Sequence, residues 1–200
     1  MPKNSANSFF VIPSLLVNHI QQYHSGPGPG KVFKFPWGDG YPRWQFAVAI
    51  WFFATGTGFA PFASLLREPQ TYEDYDEVII THTCRTAGEL TYGRELIEGL
   101  KDDELLNEVI GEGFWKKIKY YPTTTREESP KMGRITDLMR DGTVFKDLDV
   151  EPIHRETDRA MVCGNLAFNL EIKELLESYG LEEGANSDPK HYVVEKAFLD

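Results

Sequence analysis

The chain has 200 residues, 41% of them hydrophobic, and a formal net charge of −10, enough apolar material for one good core or at most two small ones. So acidic a chain has no overall grip on nucleic acid or an anionic membrane, and an anionic ligand must be held by local cations. Cys84 and Cys163 lie far apart without metal-ligand spacing, and the start lacks a charged-then-apolar leader, so free thiols in a reducing cytoplasm are expected and no metal site is assigned.

Residues 1–45 contain "SGPGPGK" and "FPWGDGYPRW", proline- and glycine-rich punctuation around short apolar runs with no sustained period. They read as a short irregular or β-containing segment. The pattern then becomes regular. "FAVAIWFFA", Phe46 to Ala54, is about half the length a membrane-spanning helix needs and predicts a buried strand. Further strands are predicted over Glu77–Cys84, Lys117–Thr125, Arg159–Gly164 and His191–Phe198. Between them the spacing predicts helices over Pro61–Arg67, Ala87–Leu100 with an optional continuation through "DDELLNEVIG", Arg134–Asp141, and Leu166–Tyr179, which Gly180 ends. Strands separated by helical cover point to an α/β fold, a five-stranded parallel sheet with helices on both faces. Ligands of such sheets sit beyond the carboxyl ends of the strands, so the residues just after each strand carry the functional signal.

The first strand runs into Thr55-Gly56-Thr57-Gly58 and a helix near Pro61. Glycines let backbone N–H groups approach a phosphate, threonines add hydroxyl donors, and a helix start adds partial positive charge. The turn lacks the lysine of a Walker loop, and proline stands where a dinucleotide fingerprint has its third glycine. A tight structural turn with no ligand is the competing reading. Arg85 follows the second strand, and Arg126 and Arg134 flank the loop after the third. Guanidinium suits phosphate, and a dinucleotide carrying a 2′-phosphate selects arginine where the form lacking it selects a carboxylate. Pairing with Glu127, Glu128 or Asp137 is the plainer alternative. Cys163 stands where a strand breaks at Gly164; it is either an inert buried thiol or a thiol beside a ring ligand, and no histidine is spaced to activate it. His82, inside a strand run, is expected to be a satisfied strand histidine.

Taken together, "ATGTGFAPFASLLREP", "THTCRTAGELTYGRELI", "YYPTTTREE", "GRITDLM", "MVCGNLAF" and "HYVVEKAFLD" resemble the NADP-binding half of bacterial ferredoxin–NADP(+) reductases of the flavodoxin/ferredoxin reductase family, in order and near the family's spacing. The resemblance covers about Phe53 to Asp200. It implies electron transfer between NADPH and a ferredoxin or flavodoxin through bound FAD. It also implies that Thr55, Gly56, Thr57 and Gly58 cradle the pyrophosphate and that Arg85, Arg126 and Arg134 hold the adenosine end, Arg126 and Arg134 above all the 2′-phosphate. Cys163 and Gly164 would flank the hydride-transfer locus, with Phe198 and Ala197 near the flavin and Glu195 as the tail carboxylate. Family members place a flavin barrel with an Arg-x-Tyr-Ser/Thr motif before the turn. Here "YPRWQFA" around Arg43 does not match it, and residues 1–45 read as an atypical or truncated remnant of that barrel, with residues 46–200 as the NADP-binding domain. Two functions stay open: the reductase, and a non-catalytic NADP-binding remnant. An ordinary dehydrogenase lacks an evident catalytic Tyr/Lys or His/Asp set. "WKKIK", with Lys116, Lys117 and Lys119, is a candidate docking patch for an acidic partner or a solvated strand entry. A monomer is favoured.

Overall fold

The computed structural model describes residues 49–185 and 190–195. Residues 1–45, the first part of the predicted Phe46 strand, and the tail residues Ala197 and Phe198 lie outside the described residues.

An apolar run such as Ala49 to Ala54 needs cover on both faces, and β1 (Ala49–Thr55) occupies the middle of the sheet. β2 (Glu77–Cys84), β3 (Ile118–Thr124), β4 (Asp158–Cys163) and β5 (Tyr192–Glu195) complete a five-stranded sheet of order β3-β2-β1-β4-β5. Every neighbouring pair is parallel. Alternation divides β1 between two cores. Ile50, Phe52 and Ala54 meet α1 (Phe59–Leu65), α2 (Pro69–Asp74), α3 (Thr91–Leu100) and α4 (Glu104–Ile110). Ala49, Trp51 and Phe53 meet α5 (Ile135–Arg140), α6 (Thr143–Leu148) and α7 (Leu166–Ser178). Phe52 stacks on Phe62 of α1 at 4.7 Å between ring centres, and each such fully buried ring stabilises the fold by about 2–3 kcal/mol.

Helix boundaries follow their caps. The predicted continuation from α3 does not form: the chain breaks at Lys101–Asp103, and the Asp103 carboxylate accepts the Leu106 N–H at 3.0 Å to start α4 as a separate helix. Asn165 starts α7 in the same way, accepting from the Phe168 N–H. Gly180, at φ +82°, ends α7, with the Leu181 N–H returning to the Leu176 carbonyl. Helices α2 and α6, six residues each, are too short to show a period and were not expected from the sequence.

The order of the sheet reverses at β1. From there the chain steps out to β2 and β3 on one side, then returns to β4 and β5 on the other. A crevice at the carboxyl ends of β1 and β4 is the place such a sheet offers a ligand. One register row crosses all five strands just below it: Pro122, His82, Ala54, Cys163 and Glu195. Among the described residues, no helix is long and apolar enough to cross a membrane.

Candidate nucleotide site at the sheet reversal

β1 ends at Thr55 in extended conformation, Gly56–Gly58 make a single 3-10 turn, and α1 follows at Phe59. The two glycines serve different ends. Gly56 sits at φ +51°, and a Cβ built on it would meet nothing within 4 Å, so the turn needs left-handed backbone there and leaves open space above it. Gly58 faces inward: its Cβ would lie 2.1 Å from the Cys163 carbonyl oxygen at the end of β4. Gly164 completes the contact, since a Cβ there would come to 2.5 Å from both Thr55 Oγ1 and the Phe168 ring. The turns after β1 and β4 therefore interlock backbone to backbone at the reversal of the sheet.

On the β2 side, the backbone brings two predicted arginines together. The Thr125 N–H donates to the Cys84 carbonyl, and the Arg126 N–H to the Arg85 carbonyl, each at 3.0 Å. Both arginines are exposed, and among the described residues neither side chain makes an ion pair or a hydrogen bond. Their loops are held by carboxylates instead. Glu89 accepts the Arg85 and Thr86 N–H groups at 2.8 and 3.3 Å, and Glu127 accepts the Ala87 N–H at 2.7 Å. The backbone N–H groups of Arg85 and Thr86, then the charges of Arg85 and Arg126, hold the Glu89 carboxyl below its usual range. Arg134 is placed differently. It caps α5, and its Nη2 lies 3.1 Å from Glu171 Oε1 on α7, a carboxylate that also accepts the Thr136 hydroxyl.

These residues fall within a match to the oxidoreductase NAD-binding domain family, residues 52–173. The chain belongs to that family. It is 62% identical over 150 residues to a flavodoxin/ferredoxin–NADP reductase of Rhodobacter capsulatus, covering 75% of this chain and 54% of that protein. Over 149 residues it is 44% identical to ferredoxin–NADP reductase A of Sorangium cellulosum, covering 74% and 52%. The chain thus spans about half the length of these relatives. In fold it resembles a ferredoxin NADP+ reductase from Neisseria gonorrhoeae, solved with bound FAD and NADP, at a TM-score of 0.62 and 23% identity over 76% of this chain and 57% of that one.

At Cys163 and Glu195 the β4–β5 side of the sheet reversal is closed to solvent, its dry side. Cys163 and Glu195 are register partners and both are buried. Burial, and then the nearby Glu195 carboxylate, push the Cys163 thiol up to about 12. Both effects disfavour the thiolate that a nucleophilic cysteine needs. Cys84 is likewise raised by burial. Among the described residues no cluster of His, Cys, Asp or Glu is arranged to hold a metal ion.

His82 is a satisfied strand histidine, as the sequence suggests, yet its partners were not foreseen. Nε2 lies 3.0 Å from the Gly56 carbonyl and Nδ1 3.2 Å from the Tyr120 hydroxyl. Neither link has a signal in the sequence, because the partners stand 26 and 38 residues away on other elements. The lysine cluster lies at the opposite, amino end of β3. Lys117 donates to the Tyr72 and Tyr75 carbonyls at 2.7 and 3.1 Å, and Lys119 pairs with Glu77 at 2.9 Å. Two of the three lysines are thus engaged in holding the strand entry, the plainer of the two readings of "WKKIK".

Proposed function

We propose that this chain binds NADP(H) at the reversal of the sheet and forms the pyridine-nucleotide half of a ferredoxin/flavodoxin–NADP reductase. The observation that carries the reading is convergence: the open left-handed glycine of the β1 turn, the adjacent exposed arginines after β2 and β3, and the buried Cys163–Gly164 corner share one edge. All of them fall within residues 52–173, the match to the oxidoreductase NAD-binding domain, in a chain 62% identical over 150 residues to the R. capsulatus reductase.

In this reading the Thr55–Gly58 turn receives the pyrophosphate, the open space over Gly56 accommodating it against backbone donors. Because α1 has only seven residues, the cationic attraction falls chiefly to side chains, and Arg85 with Arg126 takes the 2′-phosphate of the adenosine end, giving preference for NADPH over NADH. Arg134 contributes only by exchanging its contact with Glu171. Cys163, Gly164 and Glu195 border the nicotinamide, excluding water with a neutral thiol and a buried carboxylate. Catalytic roles for Cys163, Glu195 and Phe198 belong to this proposal.

The residues present fit a dinucleotide. For FAD the supporting groups are the tail, with Ala197 and Phe198, and residues 1–45, assigned here to the flavin side, with 46–200 as the NADP-binding domain. The chemistry FAD supplies when bound is acceptance of hydride from NADPH and delivery of single electrons to ferredoxin or flavodoxin. The test has two parts. Titration of the 200-residue chain with NADPH and NADH is expected to give clearly tighter NADPH binding; equal affinities would remove the arginine assignment. Desalting after incubation with excess FAD, followed by flavin counting and NADPH-dependent dye reduction, separates a reductase from a nucleotide-binding module without flavin.

A further inference from the structure

We infer that His82 is a positioning residue for the nucleotide-binding turn: its Nε2–H, in a tautomer fixed by Tyr120, clamps the Gly56 carbonyl and thereby aims the Thr57 N–H out of the sheet edge. The inference rests on the NADP(H) reading of that turn.

A carbonyl oxygen only accepts, so the 3.0 Å contact between Nε2 and the Gly56 carbonyl puts the ring proton on Nε2. Nδ1 is then a lone pair, and the Tyr120 hydroxyl donates to it at 3.2 Å. Cys84 Sγ, 3.3 Å from Nε2, is a weak second acceptor of the same proton. The ring lies against Phe59, 4.6 Å between centres and 24° from parallel. Space for the network is provided from α3: a Cβ at Gly93 would come to 2.6 Å from the Tyr120 hydroxyl and 2.9 Å from His82 Nδ1. Two neighbours and a glycine thus leave the imidazole one orientation.

A buried histidine with both nitrogens satisfied would ordinarily need no further role. What distinguishes this one is the group it holds. Gly56 is the one residue of the turn at positive φ, and glycine passes between left- and right-handed conformations with little resistance. In a trans peptide the carbonyl and the following N–H point in opposite directions. Holding the Gly56 carbonyl inward toward β2 therefore turns the Thr57 N–H away from β2, and Phe59 N–H, which bonds the same carbonyl, reinforces that orientation from within the turn. A neutral ring serves best here because it fixes the peptide dipole without placing a charge inside the core. Burial does keep the ring neutral, lowering it to about 4.

The experiment compares the unmodified chain with His82→Leu, His82→Gln and Tyr120→Phe by NADPH titration, thermal unfolding and nitrogen-detected NMR of the imidazole. The unmodified chain is expected to show a neutral ring protonated at Nε2. His82→Leu is expected to weaken NADPH binding about tenfold, the scale of one lost hydrogen bond, while His82→Gln, whose amide can donate, recovers most of it. Tyr120→Phe is expected to release the tautomer and give an intermediate loss. Protonation at Nδ1 would overturn the clamp, as would NADPH affinity in His82→Leu equal to that of the unmodified chain. Should His82→Leu fail to fold, the tautomer and the Tyr120→Phe affinity still decide the matter. An unmodified chain with the Nε2 tautomer that binds no NADPH would instead overturn the reading of the turn as a nucleotide site, and with it the positioning role.

Discussion

On the β2–β3 side of the sheet reversal, Arg85 and Arg126 stand exposed on loops whose backbones are joined, and carboxylates hold the loops through main-chain N–H groups. On the β4–β5 side, Cys163 and Glu195 are buried neighbours, and the backbone at Gly164 is pressed against Thr55. One side attracts charge in water and the other excludes water by shape. In a chain of net charge −10, any attraction of an anion has to be local, which is why Glu89 and Glu127 matter: both accept from backbone N–H groups, and neither forms an ion pair with Arg85 or Arg126 among the described residues. A substitution should hurt folding on the dry side and nucleotide selectivity on the wet side.

The strongest break of that contrast is Gly58→Val. Its Cβ would stand 2.1 Å from a backbone carbonyl that cannot swing aside, so a loss of more than about 3 kcal/mol of stability is expected in urea unfolding. Gly56→Ala is the matched control: nothing lies within 4 Å of the added carbon, and the left-handed backbone costs about 1–2 kcal/mol. It should fold yet bind NADPH poorly. A Gly58→Val protein of ordinary stability would show that the two turns do not interlock as described.

Next in size is the effect of pH on His82, which sits between the two sides. Its folded value is lowered from 6.5 to about 4, by burial first, against the opposing pull of the Gly56 carbonyl and the Glu89 charge. Its other neighbours, the Cys84 thiol and the Tyr120 hydroxyl, are both raised and stay neutral there. Below 6.5 the unfolded chain takes up a proton that the folded chain refuses, so stability falls as pH drops from 6.5 toward 4, by up to about 3 kcal/mol. His82→Gln should flatten that part of the profile. Identical slopes in the two proteins between these pH values would mean that the ring is not held neutral.

The wet side was the more legible in sequence. Strand-end arginines and a glycine–threonine turn are local patterns, and the bounds of β2 match the expected Glu77–Cys84. The two-faced sheet was legible too, because β1 is apolar from Ala49 through Ala54 and each later strand is separated by helical spacing. The dry side depends on what approaches what. Nothing in "MVCGNLAF" announces that the Cys163 carbonyl dictates glycine at position 58, and nothing near His82 points to Gly93 or Tyr120. The same limit applies to Arg134, whose position after β3 resembles that of Arg126 while its partner, Glu171, comes from a helix beyond the next strand.

The selectivity of the wet side is tested by Arg126→Ala. Loss of a charged hydrogen-bonding partner should weaken NADPH binding by about 1.5–3 kcal/mol and leave NADH nearly unchanged. Arg85→Ala should act in the same direction. Parallel losses for both nucleotides would place these arginines on the pyrophosphate or the fold, not on the 2′-phosphate.

The smallest expected effect belongs to Arg134, and it sharpens the comparison because Arg134 is an arginine of the wet side already committed to a carboxylate. Its contact with Glu171 is half exposed, so losing it should cost no more than about 1 kcal/mol of stability. A phosphate arriving at Arg134 would have to displace Glu171 or share the guanidinium with it, and the exchange of one anion for another yields little net affinity. Arg134→Ala should therefore weaken NADPH binding less than Arg126→Ala does. Glu171→Gln supplies the converse: it keeps the acceptor for Thr136 but removes the competing charge, and a modest tightening of NADPH with no change for NADH is expected, measured by titration at low salt, where surface charge is least screened. If Arg134→Ala instead costs as much as Arg126→Ala, the Glu171 contact opens on binding and Arg134 joins Arg126 on the 2′-phosphate.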